Sequence, residues 1–76
     1  MDVRDGLKTA VSQSGMKQAY IARQAHLNPA KLSDILNKRR KLDANVLLDV
    51  CRVIQIKPGE IYDLTMQNVA HPKGRG

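Results

Sequence analysis

The side chains able to do chemistry in this 76-residue chain are concentrated near its middle. Lys38, Arg39, Arg40 and Lys41 form a run of four cations. Just before it, Ala30, Lys31, Ser33, Asp34 and Asn37 set hydrogen-bonding groups beside a small apolar one. A cationic run attracts a polyanion, and closely spaced amides, hydroxyls and charges supply donors and acceptors for a patterned surface. Such a set binds and reads. The residues that signal catalysis or metal binding are not arranged for either. His26 and His71 have no Cys or His neighbour at ligand spacing, and no Ser, His and Asp set, close carboxylate pair or glycine-rich phosphate loop is evident. No metal site, no cofactor and no enzymatic activity are expected.

Charge and composition narrow the partner. The net charge is +6, and its excess is densest between residues 29 and 43, which points to nucleic acid or an anionic membrane surface. No apolar run reaches the roughly 18 residues of a membrane span, and the apolar faces are needed for one another, so no membrane partner is expected. Lone Cys51 cannot form an internal disulfide, and no export signal is visible, so a reducing, cytoplasmic location is expected. The hydrophobic fraction is 42% with no Trp or Phe, which implies one small domain with an aliphatic core.

The elements that must position these residues follow from apolar spacing. Val3, Leu7, Ala10 and Val11 share one helical face and Gly15 ends it, giving a helix near residues 2–14. Ile21, Ala22 and Ala25 mark a short second helix near 17–25. Asn28 as cap and Pro29 at the first helical position open a third, with Leu32, Ile35 and Leu36 as its inward stripe. About three residues separate the second and third, the connection of a helix-turn-helix. The basic stretch 38–43 is read as a loop or frayed helix end. Val46, Leu47, Val50, Cys51, Val53 and Ile54 give a fourth helix over 44–54, with Cys51 a core residue, and Pro58 and Glu60 open a last one through about Leu64. Ile61, Tyr62 and Leu64 are core or dimer-contact residues. The expected architecture is all-α, a compact bundle of about five short helices over residues 1–66, followed by a disordered polar tail, 67–76.

Gln18, Ala22, Leu27, Leu32 and Ile35, with Ser33 and the apolar fourth helix in unbroken register, resemble the lambda-repressor and Cro-like helix-turn-helix family over residues 16–64. The motif falls at about 17–37. Two positions depart from the family pattern. His26 stands where the family has a turn glycine, often left-handed in backbone, at a cost that His tolerates better than most residues. Leu36, Asn37 and Lys38 replace a frequent acidic-x-Gly; Asn37 can terminate the helix in place of glycine, so the helix either ends a residue early or runs on into the basic loop.

The resemblance implies a lambda-repressor-like fold and sequence-specific binding of double-stranded DNA, by a phage-type or bacterial repressor acting as a homodimer on a near-palindromic operator. An antitoxin that binds a toxin and its own promoter, or a protein-interaction module that retains the fold, are the alternatives. At about 100° per residue, Ala30, Asp34 and Asn37 oppose Leu32, flanked by Lys31 and Lys38 on one side and Ser33 on the other. Ala30, Lys31, Ser33 and Asp34 are the base-edge candidates: Ala30 for a thymine methyl, Lys31 for guanine, Asp34 for cytosine N4. Asp34 has an equal claim to an ion pair with Lys31 or Lys38. Gln18, Asn28, Asn37, Lys38, Arg39 and Arg40 are the phosphate candidates, Asn28 having an equal claim as a helix cap.

Overall fold

A computed structural model describes residues 2–69 of the chain, as five helices: α1 (Val3–Gln13), α2 (Gln18–Gln24), α3 (Pro29–Leu36), α4 (Ala44–Ile54) and α5 (Pro58–Val69). Local chemistry explains the starts of α1, α3, α4 and α5. Asp2 caps α1 by accepting from the Arg4 backbone N–H at 3.0 Å, Asn28 caps α3 by accepting from Ala30 N–H at 2.8 Å, and Asp43 caps α4 by accepting from Val46 N–H at 2.9 Å. At the start of α5, Glu60 accepts from the Lys57 backbone N–H at 3.2 Å.

The ends of α1 to α4 are set by left-handed residues, and three of them are not glycine. His26, Lys38 and Gln55 have φ of 59°, 65° and 61°. After α2, Leu27 N–H donates to the Ala22 carbonyl at 2.8 Å and His26 N–H to Arg23 at 3.2 Å. After α3, Arg39 N–H donates to the Asp34 carbonyl at 2.7 Å and Lys38 N–H to Ile35 at 3.0 Å. Both are Schellman turns, which satisfy the last carbonyls of a helix and reverse the chain. His26 thus adopts the expected left-handed backbone. The terminator of α3 needs correcting: Asn37 keeps φ −96°, and Lys38, the residue standing where the family glycine falls, takes the left-handed position.

The buried residues form one aliphatic cluster, drawn from Leu7, Ile21, Leu32, Ile35, Val50 and Ile61 among others. Burying such side chains stabilises the fold by about 1.5 to 3 kcal/mol each. Cys51 is buried within the same cluster, and its burial raises the thiol pKa. α1 packs most extensively against α5. Gly6 makes this possible, because a Cβ there would overlap the Thr65 hydroxyl oxygen and the Ile61 carbonyl oxygen. Thr65 is fully buried, and its hydroxyl donates to the Ile61 carbonyl at 2.8 Å. α5 continues past the expected end near Leu64 to Val69, so Gln67 to Val69 are helical rather than tail. The remainder of the expected tail, 70–76, lies outside the described residues. Among the described residues no helix is long and apolar enough to cross a membrane.

Candidate nucleic-acid interface

The rotation of α3 decides which side chains are available to a ligand. Leu32 and Ile35 are fully buried and Leu36 nearly so, which fixes the inward stripe. Ala30 is exposed on the outer side, and Lys31, Ser33 and Asp34 are half-buried beside it. The four base-edge candidates therefore lie away from the fully buried stripe. Gln18, Asn28, Asn37, Lys38, Arg39 and Arg40 are all exposed.

Several of these residues are already engaged. The Asn28 side-chain oxygen caps α3, which is the structural role that its position allowed. Asn37 Nδ2 donates to the Ser33 carbonyl at 2.9 Å and lies 3.4 Å from Ser33 Oγ. Lys38 does not flank the outer face of α3, as an unbroken helix would require. Its left-handed backbone takes it off the helix, and its Nζ stands 2.8 Å from Asp5 Oδ1 and 2.9 Å from Asp5 Oδ2 on α1. Asp34 does form an ion pair, with Arg39 rather than with Lys31 or Lys38. Arg39 Nε donates to Asp34 Oδ1 at 3.2 Å. The cause is the Schellman turn, which folds residue 39 back over residue 34, a pairing that helical spacing does not anticipate.

The first helix adds residues that sequence spacing did not single out. Arg4 Nη1 donates to the Arg40 carbonyl at 3.1 Å, and Lys8 Nζ donates to Asn37 Oδ1 at 3.5 Å. Arg4 itself is held by Asp2 at 2.8 Å, and its hydrogen bonds to Asp2 hold that carboxyl down at about 2 while raising the guanidinium's own pKa. α1 thus fastens the basic loop at Asn37, Lys38 and Arg40. The only sequence signal was the charge of adjacent Arg4 and Asp5 and of Lys8 about one helical turn further along α1, and nothing local to them indicates their partners.

The arrangement is a short, core-anchored helix with a mixed polar outer side, preceded by a tight turn and followed by a cationic loop. Residues 7–67 match the family described as Cro/C1-type HTH DNA-binding domain. The chain belongs to this family. The match covers all of α2 through α4 and most of α1 and α5, so the bundle as a whole is a Cro/C1-type fold. Membership in the Cro/C1-type family carries DNA binding with a regulatory role. Comparison with curated proteins and with solved structures gave no match.

Proposed function

We propose that this chain is a sequence-specific regulator, a repressor that binds a near-palindromic operator in double-stranded DNA as a homodimer and acts in the cytoplasm without catalytic activity. The observation that carries this reading is the placement of α3: its apolar stripe is buried while Ala30, Lys31, Ser33 and Asp34 lie to its other sides, next to exposed Arg39 and Arg40. A helix of this kind fits the major groove, where each base pair shows a distinct set of donors and acceptors. Lys31 supplies a donor for guanine, Ala30 a contact for a thymine methyl and Ser33 a hydroxyl. Gln18, Asn28, Lys38 and Arg40 hold phosphates on either side, with Asn37 supporting the loop. A single short helix reads few base pairs, so specificity needs two copies. Leu48 on α4 and Tyr62 and Met66, four apart on α5, are exposed apolar side chains able to contact a second copy.

Binding of Arg40→Ala and Lys31→Ala to a preferred and an unrelated duplex over a range of salt separates the two kinds of contact. Arg40→Ala weakens both duplexes alike and reduces the slope of log K against log salt by about 0.9. Lys31→Ala costs about 1 to 3 kcal/mol on the preferred duplex and relaxes one position of each half-site, with a smaller effect on unrelated DNA. Equal losses from Lys31→Ala on every sequence would remove Lys31 from base reading.

A further inference from the structure

Asp34 is the only acidic residue of α3, and a carboxylate there faces an adverse field when a polyanion approaches. It does not face it alone. Arg39 Nε donates to Asp34 Oδ1 at 3.2 Å, and the Arg39 backbone N–H donates to the Asp34 carbonyl at 2.7 Å, so the turn that closes α3 sets the spacing of the pair. The side chains are 63% and 40% exposed for Arg39 and Asp34, leaving both heads open to solvent. Among the described residues, Asp34 Oδ2 and both Nη groups of Arg39 make no hydrogen bond. The pair therefore shows two sets of unused donors beside an unused acceptor.

A guanine·cytosine pair shows the complement of this in the major groove, the O6 and N7 acceptors of guanine beside the N4 donor of cytosine. We infer that Asp34 and Arg39 act as one unit that reads a single guanine·cytosine pair in each half-site. Asp34 accepts from cytosine N4 while Arg39 donates to the guanine edge and offsets the carboxylate charge through Nε. An adenine·thymine pair fits less well, because the N6 donor of adenine lies between the acceptors N7 and O4 and meets a guanidinium N–H. Arg39 is thereby separated from Arg40: its task is specificity, where that of Arg40 is affinity. The inference rests on the DNA-binding reading above.

The test is equilibrium binding of the full chain to a preferred duplex in which each base pair of a half-site is replaced in turn. It uses wild type, Asp34→Ala, Arg39→Ala and the double variant, each first shown by its melting curve to be folded. At one position the wild type prefers guanine·cytosine over adenine·thymine by roughly 5- to 150-fold. Both single variants lose that preference at that same position and keep the others, and the double variant loses no more than the weaker-binding single one. Binding to unrelated DNA is unchanged or stronger for Asp34→Ala. The pair reading is overturned if Arg39→Ala weakens every duplex equally and lowers the salt slope by about 0.9, as a phosphate contact does. It is also overturned if the two variants alter preference at different positions. Failure of the wild type to bind any duplex is a distinct result, which overturns the DNA-binding reading itself.

Discussion

Gly6 on α1 and Thr65 on α5 meet without room for a methyl group between them: a Cβ on Gly6 would overlap the Thr65 hydroxyl oxygen and lie 2.8 Å from the Thr65 backbone nitrogen. This contact joins the two ends of the described chain and lets α1 support the loop after α3. Gly6→Ala gains about 1 kcal/mol of helix propensity but forces apart a packed helix pair, which typically costs about 1 to 3 kcal/mol and more where the obstacle is backbone. Net destabilisation is expected in thermal unfolding. Thr65→Ala in the same chain does not restore the wild-type melting temperature, because the Ile61 carbonyl and the Thr65 nitrogen stay in place. Full rescue by Thr65→Ala would show that the hydroxyl alone sets the spacing.

The turn between α2 and α3 carries an exposed His26 at φ 59°. A left-handed L-residue costs roughly 1 to 2 kcal/mol, while glycine gives back about 0.4 to 1 kcal/mol through its freer unfolded chain. His26→Gly should therefore stabilise the domain by about 0.5 to 1 kcal/mol, a rise in Tm of about 2 to 8 °C for a domain of this size. His26→Val, with a branched side chain at the same φ, should lower Tm. A Tm unchanged by either substitution would mean that the turn relaxes out of the left-handed conformation.

Asp2 gives the fold an acid-sensitive contact. Its carboxyl is held at about 2, below the ordinary 3.8, chiefly by the side-chain hydrogen bond from Arg4 and then by the Arg4 backbone N–H. A carboxylate with a depressed pKa in the folded state contributes stability that is present in full above its unfolded pKa and is lost as pH falls toward the folded one. The window is therefore about pH 4 down to about 2. Partial exposure of the half-buried Asp2 to solvent keeps the contribution small. Asp2→Asn retains a capping oxygen but not the charge, so its Tm deficit at neutral pH should shrink across that window. A deficit that stays constant from neutral pH to about 2 would assign the effect to capping geometry.

What the sequence made legible was local. Asn28, Pro29 and the Leu32, Ile35 and Leu36 stripe specify the start and rotation of α3 by capping chemistry and helical period, and the buried residues follow that reading. The left-handed His26 was legible through the family resemblance, since nothing in its own neighbours demands it. Long-range and turn-dependent relations were hidden. Gly6 reads as a weak point of a helix until α5 is known to lie against it, and Thr65 reads as a polar interruption until its burial against Gly6 is seen. The polar, non-periodic sequence from Gln67 onward hid the continuation of α5 to Val69. Asp34 and Arg39 are five apart, outside the spacings that pair on a helix, and meet because the left-handed Lys38 reverses the chain. The Lys38 to Asp5 pair spans the packing of separate helices, which charge patterning along one helix cannot indicate.

The central claim is that α3, backed by its buried stripe, reads DNA sequence. Selection of bound sites from random duplex DNA, using the wild-type chain at near-physiological salt, tests it most directly. The account predicts enrichment of one short half-site repeated with dyad symmetry, the half-site centres about 10 base pairs apart or a multiple of that. Binding to the enriched site should also be tighter than to random duplex by roughly 10³-fold or more. Recovery of no preferred sequence, with affinity the same for every duplex, would contradict the claim and leave only the cationic surface as the source of binding.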